Sequence, residues 1–326
     1  MRNNTLASSL AFIVATVLLA ACSGLSSNAI GTPVAPAFER SGAEGGSIAK
    51  ASAENAGVPA SEPPRRAAQF IYVSDSVSNV VNVFTKSSPY GKVRAITDDV
   101  DTPRGLALDA NGNLFVTDQN KVEEYHRGGS APIFAYSKDL SDLSAAAVDS
   151  AGNVYVCDNG DDEVAVFPRR KNNPSRFISL PGTPLAVAID SHDNLYVDWT
   201  ETSYGTRIYE YASGSKNPKD LHLNVGGKVS EGIAVDSYGN IALSTQDPGQ
   251  LALYPSGSQN ATVTVSYPYS VYNVALDRQQ NKLYLAGGYN TAETVQIFDY
   301  NAKSLRIKSI GSVPCEEDCW GVAVGS

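Results

Sequence analysis

Residues 105–118 read GLALDANGNLFVTD. Apolar residues alternate with small or polar ones on both sides of an Asn/Gly-rich break, which is the pattern of two β-strands joined by a tight turn. The first of these strands carries Ala at its centre, and that strand recurs. The copies are GLALD (105–109), AAAVD (145–149), AVAID (186–190), GIAVD (232–236), NVALD (273–277) and GVAVG (321–325). Successive copies start 40 to 48 residues apart. A fixed period of this length signals a repeat architecture.

The rest of each unit follows the same order. After LFVTD come KVEEY (121–125), an irregular link and APIFA (131–135). The turn between the first two strands is Asp-x-x-Gly-Asn at 109–113, 149–153 and 236–240. Residues 190–194 and 277–281 lack only the Gly. Asp can bond its own backbone two residues on, and Gly or Asn tolerates the left-handed conformation such a turn requires. Fourth strands are expected at 93–96, 133–135, 176–180, 221–225, 261–265 and 305–310.

Two columns of residues imply a wedge. The central Ala recurs as Ala107, Ala147, Ala188, Ala234, Ala275 and Ala323. An aromatic recurs near the end of the third strand as Phe84, Tyr125, Phe167, Tyr211, Tyr254 and Phe298. Small residues suit the narrow inner end of a radial blade and large ones its wide outer end, so the expected fold is an all-β propeller of four-stranded blades. Residues 69–326 spread over six units give about 43 residues each, the size of one blade. The N-terminal stretch FIYVSDSVSNVVNVF (70–84) opens a unit with no first strand, and GVAVGS (321–326) is a first strand with no unit. Together they complete a sixth blade and leave no open edge.

The segment 103–118, with Pro-x-Gly-Leu-Ala-Leu-Asp-x-x-Gly-Asn-Leu-Phe-Val-Thr-Asp, resembles the NHL repeat. It also resembles the repeats of SMP-30/gluconolactonase-like and streptogramin-lyase-like six-bladed propellers. The resemblance covers about 258 residues. It implies the architecture, and a choice among lactonases, lyases and binding platforms.

The N-terminus reads as a targeting segment. Arg2 supplies a positive charge, residues 6–21 are apolar and rich in small residues, and the stretch ends in Leu19-Ala20-Ala21-Cys22. It is short for a membrane span. It resembles a bacterial lipobox, which implies a signal peptide over 1–21 and a lipidated Cys22. An ordinary secretory peptide with an incidental Cys is the other reading. Ser23 resembles the pattern that sorts lipoproteins to an outer membrane in Gram-negative cells; a Gram-positive source would leave the chain on the outer face of the cell membrane. Residues 23–68 are rich in Ala, Ser, Gly and Pro and cannot bury enough surface to offset their ordering entropy. They form an expected tether that holds the domain ~35–40 Å from the bilayer.

Net charge is −9 and the pI about 4.9. A nucleic-acid-binding surface needs clustered Lys and Arg, and the one run, Arg169-Arg170-Lys171, reads as a solvated hairpin loop. No nucleic-acid partner is expected, and the membrane is approached through the lipid anchor alone. A monomer is expected. Cys315 and Cys319, in VPCEEDCW, are expected to form a local disulfide in an oxidising compartment. Cys157, in VYVCD, is expected to be a buried small hydrophobe.

Ring propellers gather one loop from each blade at the channel mouth. The residues expected there precede each first strand: Arg104, Ser144, Leu185, Glu231, Tyr272 and Trp320. Arg104 and Glu231 belong to opposite blades, and Tyr272 and Trp320 to adjacent ones. One cation, one anion and two aromatics in a concave mouth form a candidate small-ligand site; the bland reading has the charges solvating the channel and the aromatics packing on loops. The expected role is a non-catalytic platform for a small molecule, glycan or protein, without a cofactor. The alternative is a lactonase-like hydrolase or a lyase. A divalent cation would need oxygen ligands, for which Glu231 and Asn273 are candidates. The chain lacks the Glu-Gly-Pro and Pro-Asn-Asp segments that the gluconolactonase resemblance would require. None of His126, His192 and His222 falls in the ring column, so general-base chemistry at the mouth would fall to Glu231. Residues 158–162, DNGDD, could bind Ca²⁺ or form a plain hairpin turn, and the hairpin is the expectation. Residues 109–113 recur as a turn and read as structural.

Overall fold

The computed structural model describes residues 69–201, 205–246, 248–287 and 294–325. The segment 1–21, Cys22 and the tether 23–68 lie outside the described residues. The described residues form 24 strands and no helix. Blade 1 contains Phe70–Asp75 (β1), Val80–Thr85 (β2) and Lys92–Ile96 (β3). Blade 2 is Leu106–Leu108 (β4), Leu114–Thr117 (β5), Val122–Tyr125 (β6) and Pro132–Tyr136 (β7). Blade 3 is Leu143–Val148 (β8), Val154–Asp158 (β9), Glu163–Phe167 (β10) and Arg176–Ser179 (β11). Blade 4 is Thr183–Ile189 (β12), Leu195–Glu201 (β13), Gly205–Tyr211 (β14) and Lys219–Asp220 (β15). Blade 5 is Ser230–Val235 (β16), Ile241–Thr245 (β17), Gln250–Tyr254 (β18) and Val263–Ser266 (β19). Blade 6 is Val271–Leu276 (β20), Lys282–Gly287 (β21), Thr294–Asn301 (β22) and Arg306–Pro314 (β23). Cys319–Val324 (β24) pairs antiparallel with β1 and completes blade 1 in the order β24-β1-β2-β3.

The fold is therefore a six-bladed β-propeller closed by its C-terminal strand. The first strand of each blade packs against the first strands of both neighbours, from β4 through β8, β12, β16, β20 and β24 back to β4. At the seam Ile71 pairs with Val324, Tyr72 with Ala323 and Val73 with Val322. The closing strand runs too near blade 2 for any side chain at Gly321: a Cβ there would lie 2.3 Å from the Arg104 carbonyl oxygen.

The apolar core is divided into six clusters, each between two adjacent blades. This follows from strands whose two faces both meet a neighbouring sheet. The third-strand aromatics Phe84, Tyr125, Phe167, Tyr211, Tyr254 and Phe298 are all buried in these layers.

The Asp-led turns form as their chemistry dictates. Asp109 Oδ1 accepts the amides of Asn111 and Asn113, and its Oδ2 accepts Asn113 Nδ2 at 2.8 Å. Asp149, Asp190 and Asp236 repeat the arrangement. In blade 6 the turn is one residue longer, closing from the Asp277 amide to the Lys282 carbonyl. Asp193 and Gln280 adopt the left-handed conformation that Gly supplies elsewhere, with φ of 60° and 53°.

One expected strand is corrected. The fourth strand of blade 4 is Lys219–Asp220, not 221–225. The Leu221 amide still donates to the Ile208 carbonyl of blade 4, and beyond it the chain leaves that blade: the Asn224 amide donates to the Gln259 carbonyl, and the Tyr254 hydroxyl donates to the Asn224 carbonyl. Leu221, Leu223 and Val225 pack on the cluster between blades 4 and 5. Their alternation serves this crossing instead of a ladder.

Candidate functional site

The ring residues do not simply precede their strands. Five of them lie within the first strands, and the ladders show why. In blade 5, Ser230 pairs with Thr245 and Gly232 with Ser244, which leaves Glu231 as an extra residue. Leu185 and Tyr272 are extra residues of the same kind in blades 4 and 6. The register also shifts across Ser144 in blade 3 and across Trp320 in blade 1. A β-bulge breaks the alternation and re-aims a side chain. Here it turns one residue towards the mouth in each of these five blades. Arg104 lies just before β4, held by its amide donating to the Thr117 carbonyl at 2.8 Å.

These residues converge on one cavity of about 120 Å³, lined by Arg104, Ser144, Leu185, Glu231, Tyr272 and Trp320 together with Asn159 and Asn273. The four sequence-derived site residues are thus brought together from blades 2, 5, 6 and 1. Trp320 and Tyr272 stack with ring centroids 4.8 Å apart and planes 7° apart. The Arg104 guanidinium sits 5.7 Å from the Trp320 ring centroid. Because Tyr272 and Arg104 come from the blades on either side of Trp320, the indole is held between them. Its Nε1 donates to Asp318 Oδ2 at 2.6 Å, and Ser76 Oγ donates to the same oxygen at 2.8 Å. Asp318 belongs to the loop closed by the Cys315–Cys319 disulfide. That disulfide points to an oxidising, extracytoplasmic setting.

The two charges differ in their surroundings. Arg104 Nη1 donates to Asp142 Oδ1 and to the Leu143 carbonyl, both at 2.9 Å. Glu231 forms no ion pair among the described residues, and its Oε2 is buried without a hydrogen-bond partner. Burial pushes the Glu231 carboxyl up to about 7, against the pull of the nearby Gln246 side chain and the Arg104 charge. Behind it lies Asp198 at zero exposure, with neither oxygen in a well-formed hydrogen bond. Burial raises Asp198 well above the usual carboxylate range; the Ser230 and Thr206 hydroxyls moderate this and the Glu231 charge adds to it.

Sequence reasoning passed over Asp142, Asp198 and Asp318, and weighed Asn159 only within the 158–162 cluster. Asp198 had a signal: its place on the second strand is taken by Ser74, Thr117, Cys157, Ser244 and Ala286 in the other blades, so it is the one ionisable carboxylate in a column of small residues. Asp142 and Asp318 had none, since both lie in irregular links.

The remaining candidates fall elsewhere. His192 sits on the Asp190 turn and His222 follows β15, both largely exposed. His126 follows β6, and no histidine lines the cavity. Asp158, Asp161 and Glu163 bring three carboxylate oxygens within 4.8 Å of one another. Asp158 is engaged there by the Ser141 amide and hydroxyl. Asn273 Oδ1 accepts the Val322 amide at 3.3 Å, so its oxygen is directed to the seam. Cys157 is buried, and burial pushes its thiol up.

No family model matches the chain, and no curated protein matches it. Solved structures do. A chain in the crystal structure of a nidogen/laminin complex superposes with TM-score 0.63 at 15% identity, over 79% of this chain and 98% of that one. A protein of unknown function from Bacteroides caccae gives 0.58 at 13% identity, over 79% and 99%. Hydrazine synthase of Kuenenia stuttgartiensis gives 0.53 at 13% identity, over 65% of this chain; the match spans 66% of the hydrazine synthase chain, just under two thirds. At these identities the likeness is one of fold, and fold does not carry function.

Proposed function

We propose that the chain is an exported, NHL-like propeller anchored through a lipid on Cys22, and that it serves as a non-catalytic binding platform with its ligand in the channel mouth. One observation carries the reading: Arg104, Glu231, Tyr272 and Trp320, from four separate blades, line a single cavity. Such a cavity with few convergent polar groups is the common form of a small-ligand site. The closed ring of first strands gives it a rigid floor. The ligand is a small molecule, or the tip of a glycan or protein, and the domain works as a monomer.

The hydrolase and lyase alternatives find less support. Glu231 is the one carboxylate among the lining residues, and the Asn273 oxygen already accepts one backbone amide. A bound divalent cation would need more oxygen ligands than that.

The reading is tested in two ways. Thermal-shift screening of the purified full chain against metabolites and glycans supplies a ligand, and Arg104→Ala, Tyr272→Ala and Trp320→Ala then each weaken its binding about tenfold or more. If all three variants bind as the wild type does, the mouth is not the site. Stoichiometric Ca²⁺ or Zn²⁺ in the purified protein, lost on Glu231→Ala, would favour the hydrolase instead. For the anchor, Cys22→Ser releases the protein from the membrane fraction and abolishes labelling by radioactive palmitate; unchanged fractionation would remove the lipid from the proposal.

A further inference from the structure

We propose that the mouth cavity selects a small organic cation, a protonated amine on a compact apolar body. This rests on the reading of the mouth as a binding site.

The charge balance around the cavity carries the inference. One basic and one acidic side chain line it, Arg104 and Glu231. Arg104 is already engaged within the protein, through Nη1 to Asp142 and the Leu143 carbonyl and over the Trp320 ring. An anion would meet a guanidinium whose charge is already paired with Asp142, and would face Glu231 across the ring. Glu231 has no cationic partner among the described residues, and its Oε2 has no hydrogen bond. Asp198 behind it is a second carboxyl without an ion pair among the described residues. Burying a carboxylate costs several kcal/mol unless a cation accompanies it, so an ammonium at Glu231 satisfies what the protein leaves unmet. Burial already pushes Glu231 up to about 7, and a bound ammonium would return its carboxyl to the charged form.

Size and lining fix the rest of the ligand. A space of about 120 Å³ is near the ~150 Å³ of an engineered cavity that takes up benzene, so it suits one ring or a short branched chain. Trp320 is stacked on Tyr272 and has the Arg104 guanidinium over its ring. The apolar body therefore meets the edge of that stack together with Leu185 and Ala145, and the ammonium is directed to the Glu231 side.

Three probes of one shape and different charge decide the matter. Benzylamine (protonated at pH 7), benzyl alcohol and benzoate are titrated calorimetrically into the purified full chain. The expected result is benzylammonium binding at least about tenfold tighter than either of the others, with the preference lost in Glu231→Gln. Benzoate or benzyl alcohol binding as tightly as the amine would overturn the cation inference and leave the mouth as a site. Failure of all three to bind would also overturn it, while the mouth itself would still be judged by the Arg104, Tyr272 and Trp320 variants with the screened ligand. If Glu231→Gln does not fold, the ranking of the three probes on the wild type decides alone.

Discussion

Trp320 lies flat against Tyr272, with ring centroids 4.8 Å apart and planes 7° apart, although the two residues belong to different blades. The stack ties the closing strand to blade 6, and Arg104 extends it to blade 2. Aromatic pairs of this kind contribute roughly 0.5–1.5 kcal/mol beyond their buried area. Trp320→Ala should therefore lower the midpoint of thermal unfolding by several degrees, at about 2–4 °C per kcal/mol for a domain of this size. Trp320→Phe should recover most of that loss. Circular dichroism melts of both variants test it; equal midpoints for Trp320→Ala and wild type would show that the stack adds nothing.

The seam offers a sharper probe. A Cβ at position 321 would come within 2.3 Å of the Arg104 carbonyl oxygen and 2.8 Å of Ser74 Oγ. Ser74 Oγ donates to that carbonyl and accepts the Gly321 amide. Gly321→Val forces blades 1 and 2 apart, and overpacking of this kind costs about 1–3 kcal/mol. Deletion of 321–326 removes the partners of Ile71, Tyr72 and Val73 and leaves only Cys319 opposite Asp75, and should replace one cooperative denaturation transition with a broad one. A deletion variant that unfolds as sharply as the intact chain would refute closure by this strand.

The disulfide should matter both to stability and to the mouth. It closes a five-residue loop, worth about 2 kcal/mol in the chain-entropy description. The same loop presents Asp318 to Trp320 Nε1. Reduction, or Cys315→Ser with Cys319→Ser, should lower the unfolding midpoint and change the emission of Trp320. Trp199, the other tryptophan, is buried between blades 3 and 4 and should be unaffected. Alkylation followed by mass spectrometry verifies the redox state; unaltered emission after complete reduction would sever the loop from the mouth.

Acidity should favour the fold. Burial raises Asp118 to about 7, although the Asp101 amide and Lys121 pull it down; Asp101 and Asp99 add repulsion. Burial, with the Asp99 interaction, likewise raises Glu123 to about 8 against the pull of Lys121. Unfolded carboxyls titrate near 4, so between about 4 and 8 the folded state holds more protons than the unfolded one. Stability contributed by these groups is then greatest at the acid end and falls as pH rises through 7 and 8. Asp118→Asn removes its share, so this variant should gain on the wild type between pH 5 and pH 8. Unfolding midpoints that differ by the same amount at both pH values would contradict the assignment.

Much of this was legible in the order of residues. A strand alternates with period two and a blade repeats about every 43 residues, and both are local patterns that a linear chain displays. They gave six blades, the closing strand GVAVGS, the Asp-led turns and the ring column of Arg104, Glu231, Tyr272 and Trp320. The expected strand at 221–225 failed because its alternation meets blade 5, a contact that no local window contains.

The character of the site was decided by the tertiary structure. Whether a ring residue points into the mouth depends on a one-residue bulge in pairing with the next strand, and pairing register is a property of two segments. Arg104 is neutralised by Asp142, 38 positions along the chain, and Trp320 is enclosed by side chains from both adjacent blades. Glu231 and Asp198 are left without counter-ions among the described residues because burial is set by what packs around a group, not by its neighbours in sequence. The sequence by itself determined the ring and who stands on it; three-dimensional packing determined which of those charges has a partner within the protein.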